Sequence, residues 1–196
     1  MKKIFPPFEY LNVPNSITTL GLVFAIAACY FITKQAFVTM TICLFLSAVM
    51  DLIDGWFATK LNQHTILGKH IDTLVDYFTC VIMPVFILLS FFESPSPIVL
   101  AGLVLYCICG TWRLSFYNIS GKSEYFSGIP VPASMMGIVI TFWGIIVHGL
   151  PEWVIVIAFL IIGPLMISGI RLKKYGIWHK GTAIFGVAVF VLIILF

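Results

Sequence analysis

Seven stretches of this chain are apolar for about as long as a membrane is thick. They fall at roughly 14–33, 36–58, 70–92, 97–119, 131–149, 152–170 and 177–196, and a hydrocarbon core of ~30 Å takes about 20 helical residues to cross. Lipid offers no partner to a backbone N–H or C=O, so such runs fold as helices or as strands of a closed barrel. Barrel strands alternate apolar and polar residues over about ten positions; these runs do not alternate. The apolar share, 61% with only 10% charged, lies above the roughly 45–50% of soluble domains. The sequence therefore predicts an all-α polytopic membrane protein. We expect a bundle of six core transmembrane helices plus an extra C-terminal helix, with residues 1–196 forming a single membrane-embedded domain.

Residues 1–13 carry two lysines, two prolines and a glutamate but no small-residue cleavage site. They read as an interfacial segment leading into the first span rather than a cleaved leader. The loops between spans are marked by "ESPSP" at 93–97, "GKSEYFSGIPVP" at 121–132, "GLPE" at 149–152 and "RLKKYGIWHK" at 171–180. Alternate loops collect ten of the eleven Lys and Arg residues on one side, with only Lys34 opposite. By the positive-inside rule that side is the cytoplasm, and the C-terminus lies outside. Cys29, Cys43, Cys80, Cys107 and Cys109 all sit inside apolar runs without metal-ligand spacing. They read as small buried hydrophobes.

Against this background "DLIDGWFATKLNQHTILGKHIDTLVD", residues 51–76, is out of place: it holds four of the chain's eight acidic residues at the junction of two spans. A carboxylate at the bilayer centre costs at least ~2.5–3.5 kcal/mol, so acids there face a cavity and serve a function. Asp51 and Asp54 are three apart near the end of the second span, and Asp72 and Asp76 are four apart at the start of the third. Each pair shares one helix face. Two adjacent helices can thus aim four carboxylates into one cleft, where they repel unless neutralised. Oxygen-only donors suit hard divalent ions, and magnesium in particular keeps open positions for substrate phosphates. Such a site points to phosphoryl or phosphatidyl transfer, with metal ions neutralising a diphosphate. Gly55, Ala58 and Gly68 leave room for a phosphate to approach the backbone.

The spacing Asp51-x-x-Asp54-Gly55-x-x-Ala58-Thr59, eight residues, then Gly68-x-x-x-Asp72-x-x-x-Asp76 resembles the signature of the CDP-alcohol phosphatidyltransferases. Seven of its eight fixed positions match, with unbroken spacing. "PNSIT" at 14–18 is also similar to the family's entry into its first helix. The resemblance implies that two divalent ions, Mg²⁺ or Mn²⁺, are held by Asp51, Asp54, Asp72 and Asp76. Asp76 doubles as the general base on an acceptor hydroxyl, which attacks the β-phosphorus of a CDP-lipid and releases CMP. It further implies that Asn15, Thr18, Asp51, Gly55, Ala58, Thr59, Gly68 and Asp72 surround the CDP-lipid. A homodimer in the cytoplasmic membrane is implied too, with the site facing the cytoplasm, lipids around it and no nucleic-acid partner. The departure is Thr59, where the family has arginine. A hydroxyl does not replace a guanidinium fork on phosphate, and Lys60 lies ~100° around the helix. Weaker CDP-lipid binding is expected.

"RLSFYN" at 113–118, "YFSGIPVPA" at 125–133 and "LMISGIRLKKY" at 165–175 resemble the phosphatidylserine synthase branch. On that reading Arg113 and Asn118 contact the acceptor, with Arg113 neutralising the serine carboxylate. Arg113 and Asn118 can equally anchor the helix end at the lipid surface. "DTLVDYFTCVIMP" at 72–84 and "EYFSG" at 124–128 also resemble the choline-accepting branch, for which Tyr77, Trp112, Tyr117 and Tyr125 would form an aromatic box. Interfacial belts account for such residues as well. Glycerol phosphate and inositol phosphate rank behind serine and choline, because they call for more cationic side chains. A cation carrier is a separate reading, but it needs acids along a path through the bilayer. Glu9, Glu93, Glu124 and Glu152 lie in ends and loops instead.

Overall fold

The computed structural model describes residues 9–119 and 125–173, the last three and residues 125–126 by their backbone only. Helix α1 (Val13–Thr33) starts where Asn12 accepts a hydrogen bond from the Asn15 N–H at 2.9 Å, with Pro14 in the first turn, where its missing N–H costs nothing. Helix α2 spans Phe37–Lys60. The third span runs unbroken from Ile66 to Phe91 but changes character on the way. It is α-helical over α3 (Ile66–Asp76), a π-helical turn over Tyr77–Ile82, and α-helical again over α4 (Met83–Phe91). Helix α5 covers Pro97–Ile119, α6 Val131–His148 and α7 Trp153–Met166. Among the described residues five helical spans are thus long and apolar enough to cross a membrane, and α7 is a shorter apolar helix. The fold is a helical membrane bundle.

Two details differ from the expected spans. The third begins at Ile66 rather than 70, because the Thr65 hydroxyl caps the helix by accepting from the Gly68 N–H at 2.9 Å. The sixth stops at Met166 rather than 170, giving 14 residues, or a rise of about 21 Å. There the Leu165 carbonyl accepts from the Ile129 N–H at 3.1 Å, and the chain leaves the helix to pair as a strand. Strand β2 (Arg171–Lys173) runs antiparallel to β1 (Tyr125–Ser127), with Phe126 opposite Leu172. Gly128 closes this corner at φ +76°, a left-handed conformation that suits a residue without a side chain. The seventh span, 177–196, lies outside the described residues, as do residues 1–8 of the interfacial segment.

Helices in lipid gain nothing by hiding apolar surface from one another, so close packing over small residues holds them together. Helix α1 lies along α2 through Gly21, whose α-carbon faces the Ser47 carbonyl and Met50, and through the wholly buried Ala25 and Ala28. Helices α5 and α7 close over Gly163, where an added methyl would stand 3.4 Å from the Tyr106 α-carbon. Beside it the Phe159 ring packs between Tyr106 and Phe142, at centroid distances of 5.5 and 6.5 Å. Phe159→Ala is expected to cost about 3–5 kcal/mol, read as a lowered thermal unfolding midpoint in detergent.

Candidate metal centre and substrate cavity

Helices α2 and α3 bring three of the four motif acids into one close cluster, with Asp76 outside it. One carboxylate oxygen from each of Asp51, Asp54 and Asp72 lies within 4.8 Å of the others. Asp54 is 6% exposed and accepts a hydrogen bond from the Thr18 hydroxyl of α1. That hydroxyl also reaches the Pro14 carbonyl at 3.1 Å, so α1 sets the direction of the Asp54 carboxylate. Asp76 stands one turn beyond Asp72. It lines a cavity of about 240 Å³ together with Asp51, Asp72, Arg113 and Tyr117. A second, deeper cavity of about 70 Å³ shares Asp51 and Asp76 and is otherwise walled largely by apolar side chains of α2 and α6.

The donor set is all oxygen, comes from two helices, and opens on a cavity. It fits a hard divalent cation, which would neutralise repulsion that an apolar surrounding screens poorly. Asp51, Asp54 and Asp72 are placed to hold such an ion, with Asp76 on the same cavity wall.

The residues read as surrounding the nucleotide fall into two groups. Asn15, Thr18 and Ala58 are buried. The Asn15 amide donates to the Tyr10 carbonyl at 2.8 Å, and its oxygen faces Gly68 so closely that a methyl group there would overlap it. Gly68 thereby lets the start of α3 reach the start of α1. Gly55 and Thr59 are exposed on α2. A methyl on Gly55 would meet nothing within 4 Å. The Thr59 hydroxyl donates to the Gly55 carbonyl at 3.0 Å and lies 3.5 Å from the His64 ring. Lys60 is turned to Trp56, its ammonium 4.5 Å from the ring centroid, and does not stand in for the arginine absent at 59.

Arg113 is only 6% exposed, at odds with a headgroup anchor, and its guanidinium lies 5.9 Å from the Tyr117 ring centroid. Asn118 plays a different part: its side-chain oxygen accepts from the Thr73 hydroxyl at 3.1 Å, and its carbonyl accepts from the Lys69 ammonium at 3.0 Å. It ties the end of α5 to α3. Sequence reasoning passed over Lys69 and Thr73, since their partners are 49 and 45 residues away. It also passed over the π-turn after Asp76, for which Pro84 is the one local signal. Of the suggested aromatic box, Trp112 is 72% exposed on the outer face, and the Tyr125 side chain lies outside the described residues.

The structure is thus a helical membrane bundle with an acidic, all-oxygen cleft between its second and third spans, a donor set suited to a hard divalent ion. Residues 11–196 match the family model of the CDP-alcohol phosphatidyltransferases, and the chain belongs to that family. It is 30% identical over 132 residues to a CDP-diacylglycerol–serine O-phosphatidyltransferase of Methanocaldococcus jannaschii, a match covering 67% of this chain and 62% of the relative. It is 29% identical over 131 residues to the enzyme of that name from Bacillus subtilis, covering 65% and 73%. A CDP-diacylglycerol–glycerol-3-phosphate 3-phosphatidyltransferase of Aquifex aeolicus is 36% identical over 66 residues, covering 34% and 37%. The chain thus spans less than two thirds of the M. jannaschii and A. aeolicus proteins.

The two glycines of the motif make opposite demands. Gly68→Ala is expected to destabilise by about 1–3 kcal/mol by overpacking. Gly55→Ala, in open space on a helix, should hold or raise stability by up to about 1 kcal/mol. Thermal unfolding of the two variants in one detergent compares them directly.

Proposed function

We propose that this chain transfers a phosphatidyl group from a CDP-lipid to the hydroxyl of L-serine, releasing CMP, with Mg²⁺ or Mn²⁺ as cofactor. The bound metal would supply charge neutralisation on the diphosphate and its leaving group. Asp51, Asp54 and Asp72 hold it, with Asp76 as a further ligand. Asp76 accepts the proton of the attacking hydroxyl from the cavity wall. Asn15, Thr18, Gly55, Ala58, Thr59 and Gly68 lie along the start of α1 and the α2–α3 junction, where the nucleotide end of the lipid would sit. Geometry and preorganised charge do the remaining work. In this reading the chain is one catalytic domain, dimeric in the cytoplasmic membrane, with the cleft on the cytoplasmic side as its basic loops suggest.

One observation supports serine most: Arg113 is buried in the same cavity wall as Asp51, Asp72 and Asp76. A guanidinium there suits a carboxylate on the acceptor. It suits choline poorly, because the Tyr117 face already receives Arg113 and, at 5.3 Å, the Lys69 ammonium. Glycerol phosphate would ask for more cationic groups, and Lys69 is turned to the α5 carbonyls.

Purified protein with CDP-diacylglycerol and Mn²⁺ is expected to release CMP with serine, and far less with choline, glycerol phosphate or inositol phosphate. Highest turnover with one of the other three would overturn the assignment. Asp76→Asn should lower kcat by at least about a hundredfold, a typical general-base contribution, and full turnover by this variant would exclude the role. Arg113→Ala should raise the KM for serine roughly tenfold or more, as loss of a charged hydrogen bond of ~1.5–3 kcal/mol implies. Thr59→Arg should lower the KM for the CDP-lipid; an unchanged value would show that the departure from the family pattern is of no consequence.

A further inference from the structure

The third span has two jobs that a regular α-helix cannot do together. Its first half points Asp72 and Asp76 toward Asp51. Its second half buries Met83, Ile87 and Leu88 completely in the bundle. Between them lies the π-helical turn Tyr77–Ile82, in which the Met83 N–H reaches back five residues to the Phe78 carbonyl. A wide turn holds an extra residue, and each residue is worth about 100° of rotation. The turn therefore re-aims one half of the span relative to the other.

Backbone accounting shows what sustains it. Pro84 has no N–H to give the carbonyl four residues earlier, which belongs to Cys80. In an apolar interior such a carbonyl must find another donor. It finds the phenol of Tyr106 on α5, which is wholly buried and donates to the Cys80 carbonyl at 2.8 Å. Neighbouring groups follow suit. The Thr79 hydroxyl reaches back to the Val75 carbonyl at 2.9 Å and the Asp76 carbonyl at 3.3 Å, and the Cys107 thiol lies 3.5 Å from the Val81 carbonyl. Gly110 lets α5 close on the turn: a methyl there would stand 2.8 Å from a Val81 methyl. Tyr106, Cys107 and Gly110 thus grip the wide turn from one stripe of α5.

We propose that Tyr106 is a positioning residue for the metal centre: its hydrogen bond to the Cys80 carbonyl, standing in for the one Pro84 cannot make, holds the π-turn that aims Asp72 and Asp76 at Asp51. Tyr106 touches neither metal nor substrate. This inference rests on the carboxylates binding a divalent ion.

The test is Mn²⁺ binding to the full-length protein in detergent, followed by electron paramagnetic resonance of free Mn²⁺ without substrate. Tyr106→Phe should weaken Mn²⁺ binding by up to roughly tenfold, the low end of what losing a direct orienting partner of a metal ligand costs, because Tyr106 acts through the Cys80 carbonyl. It should also lower kcat with little change in the KM for serine. Pro84→Ala guards against a variant that merely fails to fold. Restoring an N–H lets α-helical bonding run through the turn, so this protein should keep its thermal stability yet bind Mn²⁺ more weakly. Phe159→Leu, which loosens packing on the Tyr106 ring but spares the hydroxyl, should lower stability and keep wild-type Mn²⁺ affinity. Wild-type affinity in both Tyr106→Phe and Pro84→Ala would overturn the positioning role while leaving the metal reading intact. Equal loss in Phe159→Leu would overturn it too, by showing that packing alone is responsible. No Mn²⁺ binding by the wild-type protein would end the metal reading itself.

Discussion

Carboxylates brought within 4.8 Å of one another on helices in a lipid-like surrounding repel, and little there screens them. Such a cluster persists only if both helices are fixed in height and rotation by contacts stronger than the repulsion, or if a cation completes it. The contacts found around the cluster serve the first need. Thr18 aims Asp54 from α1, and the Gly68–Asn15 approach fixes where α3 starts beside α1. Lys69 and Thr73 lash the other side of α3 to the end of α5. The Thr18–Asp54 bond is buried and the Thr73–Asn118 bond part-buried, so breaking either leaves a polar group poorly satisfied.

The same economy explains the odd middle of the third span. A transmembrane helix normally satisfies every backbone group within itself. Here a proline removes one donor, a phenol from another helix replaces it, and the resulting wide turn lets one element serve both an acidic cleft and an apolar core. Widened turns recur at functional positions for this reason: they change the direction of side chains without ending the helix.

Membership of the CDP-alcohol phosphatidyltransferases accounts for the signature, while one departure from it and one buried cation outside it bear on what this chain does with the fold. At position 59 a short hydroxyl is tied back to its own helix; in the proposed function this would leave more of the phosphate contact to the start of α1. At position 113 a cation is buried beside the acids, and the proposed preference for an acceptor carrying negative charge rests on it. In the proposed function the first bears on the lipid donor and the second on the polar acceptor.

Much of this was legible in the residues themselves, because two strong periodicities carry it. Apolar runs of membrane length dictate helices through backbone satisfaction alone, and the i, i+3 and i, i+4 spacing of Asp51, Asp54, Asp72 and Asp76 dictates shared faces. Both depend only on local geometry, so a single sequence determines them. The early end of α7, the β1–β2 ribbon, the burial of Arg113, the turning of Asn118 to Thr73 and the grip of Tyr106 on Cys80 were not legible. Each is a contact between groups tens of residues apart, and no local pattern says which of several possible partners a hydroxyl or a carbonyl will meet. The chain determined which side chains share a helix face; only the packing of helix against helix decided which faces meet, because that depends on where small residues allow backbones to approach.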